Sequence, residues 1–200
     1  MTQSIFDHIA ENYDTPDRIA LANVIAKKVK ENLKETTDKT MIDYGSGTGL
    51  VGLQLTEQVH SLLLLDASEK MTSIAKKKLA QQSFPNVQAQ TIDLTKENSP
   101  VKTNILLVSL VLLHIPDTKQ ILQKFYDTLE NNGRLLIVDF VKNEAIQHPL
   151  VHNGFSQDEL KTQLQSTGFH SHSIQYDVFH QGDSLFMNQA ASVFLAEAVK

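Results

Sequence analysis

The 200-residue sequence contains no cysteine. That excludes disulfides and any cysteine nucleophile, such as covalent attack on a pyrimidine ring requires, and it leaves the redox compartment open. A basic excess is also missing, because 18 lysines and arginines stand against 23 aspartates and glutamates, for a formal net charge of -5. A protein that grips a phosphate backbone carries the opposite balance, so nucleic acid is not expected as a substrate. Long apolar runs are absent too. The longest, Ile105–Ile115, is interrupted by Ser109 and His114 and is too short for a bilayer-spanning helix. The segment Met1-Thr2-Gln3-Ser4-Ile5-Phe6-Asp7 has no cationic stretch followed by an apolar core, so it does not read as a signal peptide. No low-complexity tract, linker or internal repeat occurs. The expectation is one soluble domain over residues 1–200, cytoplasmic by default, that buries roughly 70% of its unfolded surface.

What is present is organised around Met41-Ile42-Asp43-Tyr44-Gly45-Ser46-Gly47-Thr48-Gly49-Leu50. A short apolar strand breaks into three alternate glycines and then a helix, a turn whose backbone can close on a nucleotide-like ligand with no Cβ atoms in the way. Taken as Gly47-Thr48-Gly49-Leu50-Val51-Gly52, the stretch fits a dinucleotide fingerprint, with Asp66 near the expected ~20 residues downstream for a ribose hydroxyl. Taken from Asp43, it is an acid at the strand end, aimed into the crevice beside the turn. Such a carboxylate repels a pyrophosphate and attracts an ammonium or sulfonium group. The acid argues for a cationic ligand.

Asp43-Tyr44-Gly45-Ser46-Gly47-Thr48-Gly49 resembles the first motif of the class I S-adenosylmethionine-dependent methyltransferases, and later segments follow in that family's order. Leu62–Ser68 resembles the second strand with its ribose-binding acid. Thr91-Ile92-Asp93-Leu94 resembles the end of the third, Leu106–His114 the fourth, and Asn131–Val138 the turn into the fifth. The resemblance implies Asp43 near the amino acid portion of the cofactor, the Gly45, Ser46, Gly47 and Gly49 backbone along methionine and ribose, and Asp66 on the ribose hydroxyls. It further implies Asp93 at the adenine amino group, with Ile92, Leu94, Ala67 and Met71 on the ring faces, Tyr44 and Ser68 beside them, and Ser109 near the methionine end. S-adenosylmethionine is then the cofactor and S-adenosylhomocysteine the product.

The remaining chain fits this plan. Thr15 caps a helix with Pro16 in its first turn and Ile19, Ala22, Ala26, Val29 and Leu33 on its inner face. Residues 1–39 resemble the family's N-terminal lid, in which Tyr13 lies near the cofactor or packs as a partly buried aromatic. Leu50, Leu53 and Leu55 sit on a short helix, and Ser61–Leu65 is a continuous apolar strand, as in a parallel sheet covered on both faces. Ser68 caps a helix with Met71, Ile74, Ala75 and Leu79 inward and Lys76, Lys77 and Lys78 on a solvated face. Strands are expected at Val87–Ile92, Asn104–Ser109 and Arg134–Val141. Asp117 caps a helix that Gly133 ends, and Ser156–Glu159 is a capping box for a helix closed by Gly168. Ser171–Phe179 and Ala191–Val199 read as two final strands joined by Gln181–Ser184, so one runs antiparallel. The expected fold is α/β, a doubly wound Rossmann-like sheet of seven mostly parallel strands with an antiparallel last strand and helices on both faces.

Methyl transfer from a sulfonium needs alignment first and a base only where the nucleophile must lose a proton. Candidates for that base are His114, His152 and Tyr13. The 143–155 segment, with His148-Pro149-Leu150-Val151-His152-Asn153-Gly154-Phe155, lies where the family places a substrate wall. Ser109-Leu110-Val111-Leu112-Leu113-His114 is not the Asn/Asp-Pro-Pro-aromatic box of enzymes acting on planar amino groups, which favours a small-molecule acceptor, as in the branch resembling quinone-biosynthesis methyltransferases. The histidine spacings lack matching carboxylates, so no metal is expected. Two alternatives stay open at this point: a cofactor-binding or partner-binding module without catalysis, and an NAD-linked reductase.

Overall fold

The computed structural model describes residues 2–149 and 151–200. Met1 of the N-terminal segment and Leu150 of the 143–155 segment lie outside the described residues. Backbone contacts divide the chain into two compact units, Met1–Ser99 and Pro100–Lys200. The first contains α1 (Thr2–Ile9), α2 (Pro16–Asn32), β1 (Thr40–Tyr44), β2 (Ser61–Asp66), α3 (Glu69–Gln81) and β3 (Val87–Thr91). The second contains β4 (Thr103–Ser109), α4 (Thr118–Thr128), β5 (Leu129–Phe140), α5 (Gln157–Thr167), β6 (Gln175–Phe186) and β7 (Gln189–Val199).

The strands form one seven-stranded sheet in the order β3-β2-β1-β4-β5-β7-β6. β1 pairs parallel with β2, β2 with β3, and β4 with β5, whereas β7 runs antiparallel to both β5 and β6. This is the mostly parallel sheet with an antiparallel last strand that the sequence predicts. Ile105, Leu106, Leu107 and Val108 in β4, and Leu135, Leu136, Ile137 and Val138 in β5, are all buried. Runs without polar alternation are what strands covered on both faces require. α3 packs on β2 and β3 in the first unit, and α4 on β4 and β5 in the second. Among the described residues no helix is long and apolar enough to cross a membrane.

Caps set most helix boundaries as expected. The Thr15 hydroxyl accepts from the Arg18 amide, Ser68 from Met71, and Asp117 from Gln120. Ser156 and Glu159 form the capping box of α5, which Gly168 closes at φ +116°. Five details differ. Ile19 is 39% exposed, and Ile25 takes the inward position on α2. The helix after the glycines is a 3-10 helix, Gly52–Gln58. α4 ends at Thr128, well before Gly133, because the buried Leu129 already pairs with Thr103 of β4. Finally, Ser171–Ser173 is a short 3-10 turn, and the hairpin reverses at Met187–Asn188, not at Gln181–Ser184. Both turn residues have positive φ, 52° and 59°, the twist a two-residue hairpin loop needs, while Gly182 continues in β6 beside a register shift.

After β5 the chain folds back on itself. The Phe155 amide donates to the Phe140 carbonyl, and Val141 and Phe155 form a parallel bridge. Gly154 makes this return possible: at φ +99° a Cβ would lie 2.6 Å from the Val141 oxygen and 2.7 Å from that of Phe140. Gly154→Ala is expected to lower the unfolding free energy by at least about 2 kcal/mol, combining left-handed strain with overpacking. Urea titration checks this, and an unchanged midpoint would contradict the close approach.

Candidate active site

In the first unit β1 runs into a loop with φ of +70° at Gly45, +56° at Gly47 and +86° at Gly49. Left-handed conformation at alternate positions is costly for any residue with a Cβ, which accounts for the glycine spacing. The Gly45 and Ser46 amides both donate to the Leu65 carbonyl, at 2.7 and 3.0 Å. Asp66, at the end of β2, closes the arrangement. Its Oδ2 accepts from the Gly47 amide and its Oδ1 from the Ser68 amide, each at 2.8 Å. Burial raises the Asp66 pKa against the pull of those two amides, and the charge of Asp7 adds to the rise. Each oxygen keeps lone-pair capacity for a further donor such as a hydroxyl.

Asp43 sits elsewhere than in the crevice. It is 2% exposed, accepts from the Gly52 amide, and has an Oδ2 with no hydrogen-bond partner among the described residues. Burial first, and the charge of Asp66 second, push its pKa up to about 8. Gly52 admits it: a Cβ there would stand 2.5 Å from Asp43 Oδ2 and 2.7 Å from Leu64 Cδ2. Tyr44 is buried, with its hydroxyl at the Leu94 amide. Burial raises its pKa, with the Asp93 charge contributing.

Asp93 follows β3 and caps the next turn. Its Oδ1 accepts from the Thr95 amide at 3.0 Å and from the Thr95 hydroxyl, and Lys96 pairs with Oδ2 at 2.7 Å. Burial works to raise its pKa, yet Lys96 and Thr95 outweigh it and the net shift is downward. Leu94 and Met71 are core side chains, whereas Ile92 and Ala67 keep exposed surface. Contact with a ring face is therefore open to the second pair and closed to the first.

The N-terminal segment docks on this loop. The Tyr13 ring lies 3.7 Å from where a Gly47 Cβ would be, and the Arg18 guanidinium stands 4.4 Å above the same ring. Burial raises the Tyr13 pKa, with Arg18 opposing. Asp14 accepts from the Thr48 hydroxyl and pairs with Lys78 at 2.7 Å, while Lys78 also donates to the Thr48 carbonyl at 2.9 Å. Lys76 and Lys77 are solvated as expected; Lys78 is not, and it serves as a clamp. Ser68, besides capping α3, donates its hydroxyl to Asp7.

The second unit holds the other candidates. Ser109 ends β4 partly buried, and Leu110 turns the chain with a φ of +55° into the 3-10 turn Leu112–His114. Burial first, then the charge of His148, lowers the His114 pKa to about 4. His152 is held twice by the same turn: its amide donates to the Leu113 carbonyl at 2.8 Å, and its Nε2 lies 2.9 Å from the Ile115 carbonyl. Beneath the turn is Asp139, fully buried in β5, which accepts from the amides of Phe140, Leu113 and Leu112. Burial pushes its pKa up to about 7 against those three amides.

The structure thus gathers Tyr13, Tyr44, Gly45, Ser46, Gly47, Gly49, Asp66 and Ser68 around one loop, with Asp93 at the end of the neighbouring strand. It separately gathers His114 and His152 on one turn. Sequence reasoning missed the roles of Asp14 and Asp139, placed Lys78 on the solvated face, and read Gly52 only as the last glycine of a dinucleotide fingerprint. Only Asp139 left a readable signal, as a lone acid in the run Leu135–Phe140. Among the described residues no group of three or more potential ligands could hold a metal. The first unit suits a nucleoside: Asp66 retains acceptor capacity for hydroxyls beside the glycine loop, while Asp14 is ion-paired with Lys78 and Asp43, with its raised pKa, is mostly protonated at neutral pH.

A family model described as Methyltransferase domain matches residues 35–188. The chain is 22% identical over 184 residues to an uncharacterized methyltransferase of Schizosaccharomyces pombe, covering 72% of this chain and 65% of the relative. It is 28% identical over 152 residues to a ubiquinone/menaquinone biosynthesis C-methyltransferase of Wigglesworthia glossinidia brevipalpis, covering 71% and 60%. The chain therefore spans less than two thirds of the length of these curated relatives. Among solved structures, a SAM-dependent methyltransferase from Aquifex aeolicus superposes with a TM-score of 0.73 at 17% identity, over 96% of this chain and 97% of that one.

The buried acids predict a pH dependence. With folded pKa values near 8 for Asp43 and 7 for Asp139 against an ordinary value of 3.8, the folded chain binds more protons than the unfolded one between these limits. Their contribution to stability is complete below about pH 4 and is lost as pH rises toward 8. Urea unfolding at a series of pH values should show this decline, and Asp43→Asn should make it shallower. An identical slope in the variant would count against the buried-acid assignment.

Proposed function

The chain belongs to the methyltransferase-domain family, within the class I S-adenosylmethionine-dependent methyltransferases, and from that premise we propose that it methylates a small quinone-related acceptor. The observation that carries the reading is the glycine loop closed by Asp66 and set among acids. The loop backbone would lie along the methionine and ribose, and the Asp66 oxygens would take the ribose hydroxyls in addition to the two amides. Charge-assisted bonds of this kind contribute about 1.5–3 kcal/mol each. Asp93 accepts from the adenine amino group, and Ile92 and Ala67 face the ring. The buried Asp43, mostly protonated at neutral pH, would be drawn toward its ionised form by the cofactor's positive end, with Gly52 fixing its place.

S-adenosylmethionine supplies a methyl group on a positively charged sulfur that leaves as a neutral thioether. The protein's part is to align the acceptor in line with that sulfur and exclude water, which can supply as much as about 7–11 kcal/mol. Tyr13, held by Arg18 and by the Asp14–Lys78 clamp, covers the loop and shields the cofactor. A quinone-related acceptor matches the curated relative named for ubiquinone/menaquinone biosynthesis, and the C-methyltransferase in that name makes a ring carbon the favoured nucleophile. Removing the proton of an adjacent ring hydroxyl raises the electron density of that carbon; once the C–CH3 bond has formed, the carbon's own proton leaves and the hydroxyl takes its proton back, so that one proton is released overall.

For that proton, His152 is the better base. A carbonyl has no proton to give, so the Nε2 beside Ile115 carries the hydrogen and Nδ1 keeps its lone pair. His114, with its pKa near 4, stays neutral at physiological pH and is a weak acceptor of protons. Its place is in the 3-10 turn Leu112–His114.

Calorimetric titration of S-adenosylmethionine and S-adenosylhomocysteine into the wild type and Asp66→Ala is the test. Micromolar binding that weakens tenfold or more in the variant supports the assignment. Failure to bind either compound removes it. With hydroquinone and naphthohydroquinone acceptors and labelled cofactor, His152→Gln is expected to lower kcat by roughly 10²-fold or more while cofactor affinity holds. A variant with full activity would clear His152 of the role.

A further inference from the structure

Strand β5 breaks its own pattern at one position. Leu135, Leu136, Ile137 and Val138 are buried apolar residues, and Phe140 follows as another, yet Asp139 between them is 0% exposed and carries a carboxyl group. An apolar side chain would satisfy packing there at no desolvation cost. The carboxyl is retained in company: Oδ1 accepts from the Phe140 amide at 2.8 Å, Oδ2 from the Leu113 amide at 3.1 Å, and the Leu112 amide also donates to it. Two of these three donors belong to the turn after β4, far away in sequence.

That turn is where His152 is fastened. Leu113 is the pivot, since its N–H points to Asp139 and its carbonyl accepts the His152 amide at 2.8 Å. Two residues on, the Ile115 carbonyl receives the His152 ring nitrogen at 2.9 Å. The His152 ring further leans on Phe155, with centroids 5.6 Å apart. Phe155 is itself held, because its carbonyl accepts the Tyr176 hydroxyl at 3.0 Å. A displacement of the Leu112–Ile115 backbone would therefore carry the Ile115 carbonyl away from the ring, and with it the reason for one tautomer over the other.

We infer that Asp139 is a positioning residue which, through the Leu112 and Leu113 amides, holds the His152 ring with its proton on Nε2 and its lone pair on Nδ1. It touches neither cofactor nor acceptor. The role is comparable to that of an outer-shell partner that fixes a histidine's tautomer, except that the link here runs through a peptide turn. The inference rests on the reading of His152 as base only for its consequence in catalysis; the tautomer itself needs no substrate to be observed.

The test is long-range proton–nitrogen NMR of the histidine rings at pH 8 in the wild type and in Asp139→Asn. In the wild type, His152 is expected to show a protonated Nε2 and an unprotonated Nδ1. In Asp139→Asn, which keeps the volume but places an NH2 group where two amides need an acceptor, the two nitrogens should move toward a common averaged shift. With an active acceptor in hand, kcat should fall tenfold or more in this variant, while the affinity for S-adenosylhomocysteine stays within twofold. An Asp139→Asn protein with the wild-type ring signature overturns the inference. So does a wild-type His152 protonated on Nδ1, a result that stands even if the variant does not fold. Loss of the tautomer without loss of kcat would retain Asp139 as the positioning residue and remove His152 as the base.

Discussion

The first unit depends on a carboxylate that receives two backbone amides from opposite sides. Asp66 accepts from Gly47 in the loop after β1 and from Ser68 at the start of α3, so one side chain ties a glycine turn to a helix N-terminus. The consequences run outward. Ser68, with its amide committed to Asp66, turns its hydroxyl both to the Met71 amide and to Asp7, which brings α1 against α3. Gly47, with its amide also committed, leaves its Cα face open to the Tyr13 ring. A polar group at such a junction has to be satisfied, and Asp66 satisfies the Gly47 and Ser68 amides.

A second principle recurs in both units: a buried acid at the end of a strand is used to hold a 3-10 turn. Asp43 takes the Gly52 amide at the start of the 3-10 helix after the glycines, and Asp139 takes the Leu112 and Leu113 amides at the start of the turn after β4. Short 3-10 segments offer few internal hydrogen bonds and leave their first amides without partners. A carboxyl supplies acceptors where water cannot reach. The cost is visible in both pKa values, pushed to about 8 and about 7 chiefly by burial. Leu110, a non-glycine residue at φ +55°, adds strain at the second of these turns. Strain of that kind persists only where the surroundings fix it, and here the amide of Leu110 is held by the Val138 carbonyl.

How much of this the sequence discloses depends on the range of the interaction. Local rules carry the caps at Thr15, Ser68, Asp117 and Ser156, and the glycine loop, because each involves partners a few residues apart. Unbroken apolar runs give the strands of a covered sheet. Boundaries slip where a distant pairing decides: Leu129 leaves α4 early to pair with Thr103, and β6 continues through Gly182 because β7 lies alongside. The site divides the same way. Asp66 is readable from its spacing to the loop. Lys78 is not, since three consecutive lysines on a helix look alike, and only the docked Asp14 distinguishes one of them.

Asp43 shows where a correct motif still leaves the physics open. An acid two residues before the first glycine suggests direct attraction of a cationic ligand, yet the side chain faces the Gly52 amide under the loop. Its influence on a sulfonium or ammonium group then acts through low-dielectric protein and not through a hydrogen bond. Such an arrangement makes its charge state responsive: the pKa near 8 reflects burial and the neighbouring Asp66, and a positive charge nearby would favour the ionised form of both acids. A positive charge placed beside the loop near neutral pH would accordingly release protons and relieve the repulsion between Asp43 and Asp66.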